Sequence, residues 1–156
     1  MQVSIIGSNE DHGEMFKMAY ELGKRLASDG HIVINGGRGG IMEGAAMGAN
    51  EGNGTVIGIL PASNRHCGND YLTAEIITGI GEMRNFIIVL SGDITVAFPG
   101  SFGTLTEISF AIRNGSRMII VRPDLHRFIR FPDNGNISFA NTIDEILSKI
   151  SEHDGI

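Results

Sequence analysis

The sequence predicts a three-layer α/β/α domain on a mostly parallel sheet, and three observations predict it. Short apolar runs of strand length alternate with helix-period segments from Val3 to Val121, an order that implies right-handed βαβ units. The runs are almost continuously apolar, as strands covered on both faces are. Two glycine-rich loops, Asn35–Gly40 and Pro99–Thr104, directly follow such runs, where open α/β sheets bind their ligands.

Val3–Gly7 (VSIIG) is the first strand. Met15, Met18, Ala19, Leu22 and Leu26 then recur at helical spacing, and Asp29-Gly30 stops that helix. His31–Ile34 is the second strand, and a second helix runs from about Ile41 to Asn50. Gly40, Gly44, Gly48 and Gly52 lie four apart there, a bare stripe on one helix face that predicts close approach of a neighbour. Packing on the sheet is the simpler expectation for the stripe; a partner helix or a ligand are the alternatives. Thr55–Leu60 is the third strand, stopped by Pro61, and Glu75–Thr78 reads as a short fourth. A helix over Gly81–Leu90, the strand Ile94–Phe98, a helix carrying Leu105, Ile108 and Ile112, and the strand Arg117–Val121 follow. Beyond them, Phe128–Phe131 and Ile137–Phe139 flank Asp133-Asn134-Gly135-Asn136, a hairpin-like pattern weakened by Pro132. Thr142-x-x-Glu145 is a capping box opening a last helix with Ile143, Ile146, Leu147 and Ile150 inward.

A length of 156 residues fits one domain, taken as residues 1–156. With 42% hydrophobic and 19% charged residues the chain reads as globular. No apolar run approaches the roughly 20 residues that span a bilayer. No secretory signal precedes the first strand, and Cys67 is the only cysteine, which together point to the cytoplasm. A net charge of −6 without a basic run argues against a nucleic-acid partner. The 22 glycines exceed the average of about 7% roughly twofold.

A glycine-rich strand-to-helix turn lets backbone N–H groups face an anion at the positive end of a helix dipole. Tight turns also need glycine for their own sake, so either loop alone is a weak motif. Three familiar assignments fail. A dinucleotide dehydrogenase needs G-x-G-x-x-G after the first strand and an acidic residue after the second; here Gly7 and Gly13 bracket Ser8–His12, and Asn35-Gly36 stands at the second. No glycine precedes a lysine followed by Ser or Thr, so there is no P-loop. Lys17, Lys24 and Lys149 all lie away from the glycine loops, which leaves no Schiff-base lysine for a pyridoxal enzyme. The five histidines lack ligand-like spacing, His66 beside Cys67 reads as a surface pair, and Ser101 is not in a nucleophile elbow. No resident metal or cofactor is expected.

Pro99-Gly100-Ser101-Phe102-Gly103-Thr104-Leu105-Thr106-Glu107 matches Pro-Gly-Gly-x-Gly-Thr-x-x-Glu except at Ser101. With Gly36-Gly37-x-Gly39-Gly40-Ile41-Met42 and Val56-Ile57-Gly58-Ile59-Leu60-Pro61, the chain resembles the LOG (LONELY GUY) phosphoribohydrolases, once misnamed lysine decarboxylases. Gly81-Glu82-Met83-Arg84-Asn85 is similar to the helix start of a short branch related to the DNA-processing protein Smf, which includes molybdenum cofactor carrier proteins. The resemblance covers roughly residues 3–121. It implies a Rossmann-like nucleotide-binding fold, a homodimer or higher homo-oligomer, and a small phosphate-bearing ligand between the loops. By motif position the catalytic pair is Arg84 and Glu107. The ligand-binding set is Gly36, Gly37, Arg38, Gly39 and Gly40 on the first loop, and Pro99, Gly100, Ser101, Gly103 and Thr104 on the second. Gly7, Ser8 and Met83 complete it. For Arg84 and Glu107 the plain alternative is a solvated helix charge.

Enzymatic members show Met-x-x-Arg-Lys, whereas no lysine follows Arg84 here, and Ser101 replaces a signature glycine. Both departures touch catalysis more than binding. Three functions therefore compete: N-glycosidic hydrolysis of a nucleoside 5′-monophosphate, non-catalytic carriage of a nucleotide or pterin-type phosphate cofactor, and, from the Smf kinship alone, a nucleic-acid module that the charge disfavours.

Overall fold

The structure is a computed structural model and describes residues 1–126 and 129–155. Its strands are β1 (Gln2–Ile6), β2 (Ile32–Asn35), β3 (Val56–Leu60), β4 (Ala74–Ile77), β5 (Ile94–Ala97), β6 (Met118–Val121) and β7 (Ile137–Ala140). The α-helices are α1 (Glu14–Ser28), α2 (Ile41–Glu51), α3 (Arg84–Ser91), α4 (Phe102–Asn114) and α5 (Ile143–Asp154). All seven strands pair in parallel, in the order β4-β3-β2-β1-β5-β6-β7. The order reverses between β1 and β5, so the chain's switch point falls there.

Alternate residues of each strand serve opposite layers. Ile5, Val33, Phe98 and Ile119 pack with Leu22 and Leu26 of α1, Ala45 of α2 and Ile146 and Ile150 of α5. Ile6, Ile34, Ala97 and Ile120 pack with Ile88 and Val89 of α3 and Ile108 and Ala111 of α4. These two apolar cores make the expected three-layer, Rossmann-like α/β fold.

The glycine stripe of α2 faces α1, not the sheet. A Cβ on Gly44 would lie 2.9 Å from the Phe16 carbonyl oxygen, one on Gly48 would strike the Tyr20 carbonyl, and Gly23 of α1 meets the Ala45 carbonyl in return. Backbone-to-backbone contact of two helices explains the run of glycines and uses up the face that a partner helix or ligand would need.

The hairpin reading fails. Ile137–Ala140 pairs with β6 in parallel, Met118 against Ile137 through Val121 against Ala140, and residues 129–136 form no strand. Phe128, in the expected first arm, lies outside the described residues. The Asn134-Gly135 turn is real, with Gly135 at φ +75° and Asn134 Oδ1 accepting from the Asn136 N–H at 3.2 Å. Pro132 cannot donate to an antiparallel ladder, and the open edge of β6 takes the following strand instead. The Thr142 half of the capping box forms as read, with Thr142 Oγ1 accepting from Glu145 N–H, while Glu145 Oε2 reaches one residue further back and accepts from Asn141 N–H. Among the described residues no helix is long and apolar enough to cross a membrane.

Candidate functional site

The first glycine loop is built by Asn35, a fully buried residue at the end of β2. Its Nδ2 donates to the Met42 carbonyl at 3.0 Å and its Oδ1 accepts from the Gly37 N–H at 2.8 Å. The Asn69 N–H donates to the Gly37 carbonyl at 2.8 Å, which docks the β3–β4 loop on this turn. The Ile41 N–H, first of α2, donates to the Ser8 carbonyl at 2.8 Å. That turn's own hydrogen bonds therefore engage part of its donor set.

The second loop follows β5 and differs. The Ser8 N–H donates to the Pro99 carbonyl at 3.1 Å, fastening the end of β1 to that of β5. Beyond it Ser101, Phe102 and Gly103 are exposed, and the Ser101 side chain at the N-cap of α4 makes no cap hydrogen bond. A Cβ on Gly103 would meet nothing within 4 Å. The start of α4 lies beside the switch point between β1 and β5.

A cavity of about 280 Å³ opens between the two loops. Ile5, Ile6 and Gly7 of the β1 end, Gly36 and Arg38 of the first loop, and Ser101, Gly103, Thr104 and Glu107 of the second loop and α4 line it. Met42, Asn9 and the α3 entry residues Glu82, Arg84 and Asn85 complete it.

Neither Arg84 nor Glu107 is a solvated helix charge. Arg84 is 3% exposed and Glu107 7%. Arg84 Nη1 donates to the Ile59 carbonyl at 2.9 Å, while its Nε is enclosed without a partner. A Cβ on Gly36 would strike Arg84 Nη1, so Gly36 makes the room in which the guanidinium lies. Burial holds the Arg84 pKa below its ordinary value, opposed by the charges of Glu82 and Glu107. Burial likewise pushes the Glu107 carboxyl up to about 8; Arg84 pulls it down and Glu82 adds to the rise. Glu107 follows Gly103 by four residues on α4 and so lies on the same helix face one turn deeper. Asn85, 5% exposed, joins them at the cavity wall.

Of the residues singled out in the sequence, Gly7, Gly36, Arg38, Arg84, Ser101, Gly103, Thr104 and Glu107 thus share one cavity. Ser8, Gly37, Gly39, Gly40, Met83, Pro99 and Gly100 do not line it. Gly37 and Gly39 face a shallow pocket with Cys67 and Asn69 on the far side of Arg38. Gly40 is sealed against the Ser8 carbonyl and Gly100 against the Thr104 hydroxyl, and Met83 points outward, 65% exposed. Sequence reasoning passed over Glu82 and Asn85 as sites, although both stand in the Gly81–Asn85 stretch it quoted. No group of three or more His, Cys, Asp or Glu among the described residues is placed to hold a metal ion.

The model of the SLOG cluster4 family matches residues 1–147. The chain belongs to the SLOG cluster4 family. That membership agrees with the LOG-like resemblance at the level of the superfamily. An uncharacterized protein of Archaeoglobus fulgidus is 41% identical to this SLOG chain over 123 residues, 79% of the chain and 81% of that protein. Among solved structures, the molybdenum cofactor binding protein of Rippkaea orientalis is similar with a TM-score of 0.83 and 31% identity, over 97% of this chain and 94% of that one. The molybdenum cofactor carrier protein of Chlamydomonas reinhardtii gives 0.84 and 29%, over 97% and 96%.

Proposed function

We propose that this protein is a cytoplasmic carrier that binds a phosphate-bearing pterin, the molybdenum cofactor, in the cavity between β1 and β5 without turning it over. One observation carries the reading: the likeness to two molybdenum cofactor proteins extends over 97% of the chain at 29–31% identity. The residues present suit such cargo. The first turn of α4 at Gly103 and Thr104 can offer backbone N–H groups to a phosphate. Arg84, Asn85 and Glu107 present nearly buried polar groups to a ring system beside it. Mass spectrometry of the ligand retained after gentle purification tests this, with a pterin phosphate expected. Glu107→Ala is expected to keep binding, with no turnover in either protein.

A nucleoside 5′-monophosphate phosphoribohydrolase is the second reading, and the carboxyl of Glu107 favours it. A group raised to about 8 is mostly protonated at neutral pH and can give its proton to a departing base. Release of free base from purine and pyrimidine monophosphates, lost in Glu107→Ala, would establish it; silence across the panel ends it. In either reading we assign a homodimer contact to α3 and its N-cap, where Met83, Ile87 and Leu90 are exposed at helical spacing. Sedimentation is expected to show a dimer that Leu90→Glu dissociates.

A further inference from the structure

The cavity sets the first turn of α4 and a buried carboxyl on one wall. Gly103 and Thr104 line it at that turn, and Glu107 lines it one turn deeper. Four residues of α-helix rise about 6 Å, inside the screening length of about 8 Å at physiological salt. Charge placed at the turn is therefore felt at the carboxyl. Glu107 is 7% exposed, and among the described residues no hydrogen bond or ion pair holds its carboxyl. Its charged surroundings act at longer range. Arg84 faces the cavity with Nη1 spent on the Ile59 carbonyl and Nε unpartnered. Glu82 lies between the two arginines, 3.2 Å from Arg38 and 4.0 Å from Arg84. His126, after β6, stands beyond Ser101 and Thr104 in a separate narrow cleft.

We infer that a phosphate at the first turn of α4 and a proton on Glu107 bind cooperatively, so that the cavity takes up its ligand together with a proton and loosens its hold in alkaline solution. This rests on the anion-binding reading above and adds a control of that site. A phosphomonoester is close to a dianion at pH 7 and above. Beside it an ionised Glu107 is a like charge, whereas a protonated one is neutral and can donate a hydrogen bond. In the empty cavity burial already pushes the carboxyl up to about 8, so near that pH both forms are present and a bound dianion favours the protonated one. A ligand that raises the carboxyl's pKa binds with proton uptake between the empty and filled values. Its affinity falls as the pH climbs through that window. Burial holds the His126 pKa below its ordinary 6.5, so the imidazole is neutral there.

Calorimetric titration of the full chain with phenyl phosphate, in buffers of different ionisation enthalpy, counts the protons taken up. A roughly tenfold gain in the carboxyl's proton affinity gives about 0.4 proton per ligand at pH 8, and almost none at pH 7. Binding should then be about fivefold weaker at pH 9 than at pH 7. Glu107→Gln is expected to show no uptake at pH 8 and an affinity that stays flat over the same range. Binding by the wild type without proton uptake at pH 8 overturns the inference and leaves the anion site standing. Uptake that persists in Glu107→Gln moves the proton to another group, such as His126, and overturns it as well. Failure of the wild type to bind phenyl phosphate or inorganic phosphate at any of these pH values removes the anion site and this inference together. Should the variant not fold, the wild-type proton count decides alone.

Discussion

The two glycine loops have similar composition and opposite construction. In Asn35–Gly40 the glycines let parts of the protein approach one another. Gly36 admits the Arg84 guanidinium, Gly40 lies on the Ser8 carbonyl, and Asn35 bonds across the turn. In Pro99–Thr104, Gly100 packs inward on Thr104, but Gly103 faces open space and the Ser101 side chain makes no cap bond to the helix behind it. One loop is a joint that positions an arginine; the other ends on a glycine, Gly103, that faces open space. Glycine content alone therefore does not locate a phosphate; what the missing Cβ would have touched does.

The largest expected break of this contrast is Gly40→Ala. Gly40 sits at φ +61° with its missing Cβ directed at the Ser8 carbonyl, so strain and overpacking act together, at a cost of about 2–4 kcal/mol. Urea denaturation should show a lower midpoint at an unchanged slope. Loss of less than about 0.5 kcal/mol, the usual range of a surface change, would mean that the first loop is as open as the second.

Comparable in size is the pH dependence that Glu107 imposes through α4. Its folded pKa, about 8, lies above the ordinary 4.5, so between these values the folded state holds a proton that the unfolded chain has lost. The effect is absent below about pH 4.5, grows with pH at up to about 1.4 kcal/mol per unit, and levels off above about 8. Its sign is destabilising as pH rises. Glu107→Gln removes it, so the stability of the variant relative to wild type should climb between pH 5 and 8. A flat difference would place the carboxyl in water.

These contrasts also mark what the sequence could carry. Strand runs and the Thr142 capping box rest on local chemistry, periodicity and turn residues, and they appear where expected. The cavity's glutamate and arginine were legible through the resemblance to the LOG motifs, but their burial was not. Burial depends on Gly36 and Ile59, distant in sequence and adjacent only once β2 and β3 pair. Glu82 was invisible as a site because its significance is a bridge between Arg38 and Arg84, again a tertiary fact. The parallel placement of β7 was lost to a turn signal that is locally correct, since Asn134-Gly135 does turn without pairing its flanks.

Gly103→Val adds a side chain to open space beside the α4 N-terminus, so the melting temperature should move by only one or two degrees, the size of a small surface change. Affinity for a phosphate-bearing ligand should nonetheless fall by about tenfold or more, because the branches occupy the approach to the N–H groups. Retained affinity would move the phosphate elsewhere on the cavity wall.

The smallest effect is expected at Ser101, where the chain differs from the LOG signature it resembles. Ser101 occupies the N-cap position of α4, in extended conformation at φ −95° and ψ −157°, and makes no side-chain cap hydrogen bond. That backbone lies in a region any residue adopts, so glycine gains nothing there conformationally. Ser101 is exposed at the cavity edge, and its hydroxyl can turn toward a bound anion as a donor or away from it. Ser101→Gly should therefore change ligand affinity by no more than about threefold, and stability by a few tenths of a kcal/mol, the usual cost of glycine at an N-cap. A tenfold gain in affinity would show that the serine obstructs the loop, and a tenfold loss that its hydroxyl binds the ligand directly. Either result would make the second loop something other than a turn that ends on an open glycine, and the contrast with the first loop would have to be drawn again from side chains.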